Sequence, residues 1–425
     1  MSTKHSKAAA EFLKNKKQAA WHDETLWLVR AKRDRLSKEV PEWEELRNMA
    51  CATKLYSNSH LDELLVEFEN NARANGAHVY WAKDADEYCN IVYNILNQHG
   101  VKHFIKSKSM LAEECELNPF LESKGIEVVE SDLGERILQL MHLKPSHIVL
   151  PAIHIKREQV GELFEREMGT EKGNFDPTYL THAARKNLRQ KFIHAEAAMT
   201  GANFAVASTG EIVVCTNEGN ADMGTSQPKL QIAAFGMEKI VPDRESLGVF
   251  TRLLARSATG QPITTYTSHY RKPREGGELH IIIVDNGRSK ILADPKHIKT
   301  LNCIRCGACM NTCPVYRRSG GYSYTYFIPG PIGINLGMLK APLHYYDNVS
   351  ACSLCYSCSF VCPAKVDLAE QIYLWRQDLD KLGKADRMKK GNVRWHGIYD
   401  EPPFDIQYGI KMGAIGKRSA AFSYL

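Results

Sequence analysis

The sequence predicts an α/β body with a helical arm at its amino end and a small, mostly helical, cysteine-bearing lobe toward its carboxyl end. Three observations predict it. Residues 76–290 alternate short apolar runs with amphipathic stretches, the signature of βαβ units around a parallel sheet. Residues 1–75 instead set apolar positions such as Leu26, Val29, Leu61, Leu64, Leu65 and Phe68 at helical intervals among dense charge. Eight of the 12 cysteines then fall into two copies of one pattern, Cys303-x-x-Cys306-x-x-Cys309-x-x-x-Cys313-Pro314 and Cys352-x-x-Cys355-x-x-Cys358-x-x-x-Cys362-Pro363. The boundaries that follow are an arm over 1–75, a body over 76–290, a lobe over 291–380 and a tail over 381–425 facing a partner.

In the body, His78 to Trp81 reads as a strand and Asp84 opens a helix through Ile95. Val101 to Ile105 is a strand, Ser107 or Ser109 caps the next helix, and Ile126 to Val129 is a strand again. Leu133 to Met141 reads as a helix, Ile148 to Ala152 as a strand, and Thr178 to Met199 as a helix. Strands are predicted at Asn203 to Ala207, Glu211 to Cys215, Leu230 to Phe235 and His280 to Val284, with a turn at Thr209-Gly210 and a helix over Ser246 to Ser257. Asp285-Asn286-Gly287-Arg288 turns the chain toward the cysteine lobe. Between the cysteine motifs, Arg317 to Asn348 is rich in Gly, Pro and Tyr and is expected to be an ordered loop, not a long helix. Leu368, Ile372, Trp375 and Leu379 support a final helix.

The cysteine spacing is that of a two-cluster bacterial ferredoxin, in which the last Cys of each run ligates the other [4Fe–4S] cube. The sets are therefore Cys303, Cys306, Cys309 with Cys362, and Cys352, Cys355, Cys358 with Cys313. Pro314 and Pro363 fix φ after the last cysteine of each run. Zinc is the rival reading, but a tetrahedral site needs four cysteines in two pairs. Two sets of four, each with a third Cys-x-x step, have no role there. A disulfide framework suits small secreted chains, and the start MSTKHSKAAAEFLKNKK has no apolar core of a signal peptide, so a reducing, cytoplasmic setting is expected.

Composition narrows the classes further. Hydrophobic content of 44% and charged content of 24% are those of an ordinary globular protein, and no stretch approaches the ~20 apolar residues of a membrane span. The formal net charge of +6 is spread over the chain, with local concentrations at Lys14 to Lys17 and Lys384 to Lys390, neither of which has the form of a nucleic-acid-binding motif. No Gly-x-Gly-x-x-Gly follows a predicted strand and no Walker loop is present, so nicotinamide, flavin and ATP are not indicated.

Within the body, Lys106-Ser107-Lys108-Ser109 falls where a strand ends and a helix begins, a place that receives anions such as a carboxylate or phosphate. The plainer alternative is a capped helix with solvated lysines. Glu196, Glu211 and Glu218 lie near strand ends, without a partner in sequence. His147, His154, His182 and His194 lack metal-pair spacing, and Cys51, Cys89, Cys115 and Cys215 read as packing residues. Trp21, Trp27 and Trp43 anchor the arm to its own chain or to another subunit.

The run Asn302 to Pro314 resembles the lactate utilization protein B family. So do Lys106 to Met110, Asp132-Leu133-Gly134-Glu135, Thr216 to Asn220, Val284 to Ser289 and Pro329 to Gly333. The resemblance spans about 75–375. It implies a lactate-utilization domain similar to the NagB/RpiA/CoA-transferase-like group, fused to a two-[4Fe–4S] ferredoxin-like domain. It further implies the electron-carrying component of a cytoplasmic assembly that oxidises L-lactate to pyruvate. The implied partners are a cysteine-rich subunit with Cys-Cys-Gly repeats and a smaller subunit carrying only the lactate-utilization domain. The aromatic run Tyr322 to Phe327 and the tail after Gly391 depart from the family pattern. With no hydride acceptor visible, this chain reads as a conduit for electrons rather than the site of C–H cleavage. An acyl- or CoA-transfer or isomerase activity of the body, with regulatory clusters, is the alternative. A cluster-bearing regulatory protein is a third.

Overall fold

Runs such as Leu230–Gly236 and Glu278–Val284 carry apolar residues at successive positions, which suits strands buried on both faces of a parallel sheet. The computed structural model describes residues 4–381 and places both runs at the centre of such a sheet. Among the described residues the strands are β1 (His78–Ala82), β2 (His103–Lys106), β3 (Glu127–Glu130), β4 (Ala197–Gly201) and β5 (Phe204–Val206), then β6 (Glu211–Thr216), β7 (Leu230–Gly236), β8 (Ile240–Val241), β9 (Tyr266–Tyr270) and β10 (Glu278–Val284). Six of them form an all-parallel sheet in the order β1-β10-β7-β4-β2-β3. The other four form a mixed sheet, β8-β5-β6-β9. Contacts divide the chain into two units, one of residues 31–307 with 363–365, the other, within the described range, of residues 4–30, 308–362 and 366–381.

In the first unit, alternate residues of β7 and β10 enter opposite cores. Ile232, Ala234, Ile282 and Val284 pack with Tyr88, Val92 and Leu96 of the helix Ala85–Gln98 and with Phe104 of β2. Ala233, Phe235, Ile281 and Ile283 pack with Leu61, Leu64, Leu65 and Phe68 of the helix Leu61–Ala74. The sheet order reverses between β2 and β4: β2 leads outward to β3, and β4 leads the other way to β7. In such sheets ligands bind beyond the carboxyl ends of the strands at this reversal.

Three expected elements differ. The run from Ile148 to Ala152 is not a strand, because its backbone is satisfied locally: Val149 N and Leu150 N both donate to His147 Nδ1 at 3.0 Å, and Ser146 N donates to the Pro151 carbonyl at 3.1 Å. The helix expected to run to Met199 ends at His194, and Ala197–Gly201 becomes β4. There the Glu196 carboxylate accepts from Lys102 N at 2.5 Å and His103 N at 2.8 Å, pinning the chain beside β2. The β8 and β9 strands have no counterpart in the sequence pattern.

The third difference lies in the second unit. The Gly- and Pro-rich stretch between the cysteine motifs contains the helices Gly330–Lys340 and Pro342–Ala351. Each opens with Pro in its first turn, where the missing N–H costs nothing. Nine residues of the first are buried, and its glycines permit close approach: a Cβ at Gly333 would stand 1.7 Å from the Ile328 carbonyl oxygen. Tertiary contact on all sides therefore outweighs the poor helix propensity of glycine. In the amino-terminal segment of this unit, the Arg317 guanidinium lies 4.7 Å from the Trp27 ring, stacking that tryptophan on its own chain. The tail from residue 382 onward, with Lys384 to Lys390, lies outside the described residues. Among the described residues no helix is long and apolar enough to cross a membrane.

Candidate functional site

The two cysteine loops repeat one backbone conformation. In the first, Cys303 follows a 3₁₀ turn (Ile298–Asn302), Arg305 takes φ 61° and its N–H donates to Cys303 Sγ at 3.4 Å, and Gly307 takes φ 77°. In the second, Cys352 follows the helix Pro342–Ala351, Leu354 takes φ 53° and its N–H donates to Cys352 Sγ at 3.3 Å, and Tyr356 takes φ 60°. Left-handed residues thus stand at the same two offsets in both copies, which is what curls each Cys-x-x-Cys-x-x-Cys run into an arc. The last cysteines are also matched. Tyr316 N donates to Cys313 Sγ at 3.5 Å and Val366 N to Cys362 Sγ at 3.4 Å, N–H groups of the kind that stabilise thiolate charge.

Within the second unit, Cys352, Cys355, Cys358 and Cys313 line a single cavity together with Pro331, Ser353, Leu354, Tyr356 and Ala369. Burial, with the negative charge of neighbouring sulfurs, pushes the thiols up: Cys313 to about 12, Cys352 to about 11 and Cys358 well above the ordinary thiol value. Cys313, Cys352 and Cys358 do not ionise together at neutral pH without a compensating positive centre, and iron would supply that charge. This donor set fits a cluster.

Cys303 and Cys306 belong to the other unit and lie among cations. Lys54 donates to the Glu238 carbonyl, Arg288 pairs with the Glu238 carboxylate, and Arg305 stands 3.6 Å from it. Burial brings Lys54 and Lys239 down to about 8, offset in part by Glu238 and Cys303. Glu238 is held down at about 2 by Arg288 first and then Arg305, against its burial.

At the carboxyl ends of β2, β3 and β4, the anion-site candidates are differently employed. Lys106 is buried with its Nζ 2.7 Å from Glu130 and 3.8 Å from Glu113. Ser107 N donates to the Met199 carbonyl at 2.9 Å, Ser109 caps the helix Met110–Glu114, and Lys108 Nζ reaches the Val149 carbonyl at 3.0 Å. Glu135 lies buried in the same group, and desolvation followed by the charges of Glu130 and Glu113 pushes it up to about 8. Glu113 and Glu218 are also raised, first by burial. Glu135 stands in the Asp132-Leu133-Gly134-Glu135 run that carries the resemblance, but nothing in the sequence groups it with the buried Glu130 and the partly buried Glu113, which come from separate segments.

The remaining candidates are dispersed. Glu211 is fully buried and bound by Arg244 at 2.6 Å and His269 at 3.1 Å, and Glu196 holds backbone N–H groups. His147 serves its own loop, and His154 meets Ser146 Oγ at 2.6 Å. His182 is exposed and His194 binds the Gln190 carbonyl at 2.8 Å. Cys89 and Cys115 are buried in the main core.

A parallel α/β sheet and a duplicated four-cysteine motif define an iron–sulfur protein, and the family models agree. Residues 65–291 match the LUD domain and residues 299–366 the 4Fe-4S dicluster domain, so the chain carries two [4Fe–4S] clusters. Lactate utilization protein B of Bacillus pumilus is 42% identical over 383 residues, covering 88% of this chain and 80% of that protein. The relative from Geobacillus thermodenitrificans, of the same name, is 41% identical, with 88% and 80% covered. The uncharacterized electron transport protein YkgF of Escherichia coli is 38% identical over 393 residues, with 91% and 82% covered. The chain belongs to the lactate utilization protein B family.

Proposed function

We propose that this chain is the electron-transfer subunit of a cytoplasmic complex that oxidises L-lactate to pyruvate. Cys303, Cys306, Cys309 and Cys362 are the ligands of one cluster, and Cys352, Cys355, Cys358 and Cys313 those of the other. The observation that carries the reading is the cavity in which Cys313, from the first motif, meets the first three cysteines of the second. When bound, the clusters supply two one-electron carriers, which matches the two electrons released as a hydroxy acid becomes a keto acid. The chain's residues set the conditions: left-handed Arg305 and Leu354 turn N–H groups onto sulfur, and buried sulfurs are shielded from water. The name shared by its relatives supports lactate as the fuel. The resemblance supports the two partners, the Cys-Cys-Gly-repeat subunit and the smaller lactate-utilization-domain subunit, and a NagB/RpiA/CoA-transferase-like ancestry of the body.

Anaerobic purification with those partners, followed by titration with L-lactate monitored by EPR, tests the proposal. About eight irons per chain and lactate-dependent reduction only in the presence of partners are expected. Zinc in place of iron, or reduction of the isolated chain by lactate, overturns it.

A second reading is favoured by one observation, the buried Lys106–Glu130–Glu113–Glu135 group at the reversal of strand order. A carboxyl that stays protonated up to about pH 8 is suited to proton exchange with a bound hydroxy acid or acyl group. Its pH signature has a definite sign. A raised carboxyl binds more protons folded than unfolded, so its contribution to stability declines as pH rises from about 4.3 toward 8. Glu135→Gln is expected to flatten that part of the pH–stability profile in thermal melts. Turnover of acyl or isomerase substrates by the isolated chain, lost in Glu135→Gln, would favour this reading over the first.

A further inference from the structure

The amino-terminal edge of the parallel sheet gathers histidines that neither cluster uses. His78 of β1 pairs in register with His280 of β10, and their rings stack with centroids 4.8 Å apart. Glu278, two residues before His280 on the same strand, projects to the same side. Its carboxylate takes His280 Nε2 at 2.9 Å on one oxygen and His99 Nε2 at 3.2 Å on the other. The ligand atoms of His78, Glu278 and His280 all lie within 4.8 Å of one another.

The surroundings are those of a coordination site. His280 is buried, Glu278 is partly exposed and His78 is exposed, so one ligand is fixed and the mouth is open to water. The second ring nitrogen of His280 is held by the Tyr80 hydroxyl at 3.1 Å, which fixes the ring with Nε2 facing Glu278. His99, kept in place by the Ile95 carbonyl at 2.8 Å, orients the carboxylate from its other side. Tetrahedral zinc with bonds near 2.0–2.1 Å requires ligand atoms about 3.3 Å apart. Closing the present spacing, at most 4.8 Å, to that value takes a movement of up to about 1.5 Å, within reach of side-chain rotation at the exposed His78.

We propose that His78, Glu278 and His280 bind one divalent transition-metal ion of the zinc class, with water in the fourth position. Imidazole with a carboxylate selects zinc, copper or nickel over magnesium or calcium. The ion takes the Nε2 lone pair of neutral His280, whose single proton then sits on Nδ1 and is donated to the Tyr80 oxygen, so that the metal replaces the His280–Glu278 hydrogen bond with no net loss of a proton. His99 and Tyr80 are positioning residues. Since β1 is an edge strand that, among the described residues, pairs in this sheet with β10 alone, the ion clips that edge to the sheet interior.

The test uses the full chain, purified anaerobically with its iron in place and loaded with zinc alone. The wild-type chain is expected to retain one zinc per chain through gel filtration, with iron unchanged. Its zinc X-ray absorption should show a shell of nitrogen and oxygen without sulfur. His78→Ala, at an exposed position that leaves the fold intact, and Glu278→Gln should each weaken zinc binding at least about tenfold. A wild-type chain that retains no zinc, uptake unaffected by both variants, or a sulfur shell near 2.3 Å placing the metal in the cysteine loops overturns the proposal.

Discussion

The two cysteine loops share a backbone and differ in what surrounds them. The first is buttressed by buried charge: Arg305 faces Glu238, which also holds Arg288, and Lys54 and Lys239 stand nearby. The cavity at the second is lined by neutral groups, with cations at its margin: Arg376 donates to the Cys352 carbonyl, Arg30 to Ser357 Oγ at 3.4 Å, and Arg317 feels the charge of Cys313, but among the described residues no buried carboxylate network joins them. The backbone geometry is therefore a property of the repeated motif, whereas the electrostatic setting is a property of the fold around each copy. Positive charge favours the state carrying the added electron, so the first motif is expected to sit at the higher potential.

The largest effect should come from exchanging single cysteines. Cys313→Ser and Cys352→Ser are expected to remove the same one of two EPR signals and lower iron from about eight to about four per chain. If Cys313→Ser instead silences the signal lost in Cys303→Ser, each motif keeps its own cluster and the crossed ligand sets fail.

Next comes the charge that distinguishes the first loop. Glu238→Gln leaves Arg288 and Arg305 short of their shared carboxylate, a change expected to cost about 3–5 kcal/mol in chemical denaturation. The native pH profile carries the same information. Because Glu238 is held down at about 2, its stabilising contribution is complete above the unfolded value near 4.3 and is lost as pH falls from there toward 2. A Gln variant that melts like the wild type would show that the buttress is dispensable.

A smaller contrast sits at matched positions of the two arcs. Gly307→Ala puts a Cβ 3.0 Å from His147 Cε1 at φ +77° and should destabilise by about 1–2 kcal/mol. Tyr356→Gly relieves a left-handed non-glycine residue but forfeits the hydroxyl contact to Glu370 at 2.9 Å, so its melting temperature should stay close to wild type. Equal losses in both would mean that the arcs are not equivalent. Smallest of all, Arg376→Gln is expected to cost about 1 kcal/mol through the uncovered Cys352 carbonyl, read by denaturant midpoint.

Much of this molecule is legible in the chain because its signals are local. Short apolar runs and period-3.6 patterning place most strands and helices, Asp84, Ser109 and Asp132 cap the helices that follow them, and eight cysteines announce their chemistry by spacing. Where the reading failed, a specific packing contact or side-chain hydrogen bond had overridden the propensity of the run. Residues 330–340 are helical despite their glycines because Gly333 lets the Ile328 carbonyl approach, and residues 148–152 are no strand because His147 satisfies their N–H groups.

The sequence alone determined the cofactor chemistry, since thiolate spacing within a short loop is fixed by covalent geometry and a few φ angles. Only the tertiary structure decided that Lys106 meets Glu130, that burial beside Glu130 and Glu113 pushes Glu135 up, and that His78, Glu278 and His280 share one edge of a sheet. Those groups come from segments far apart in the chain, and their properties depend on burial and mutual distance, which no periodicity encodes.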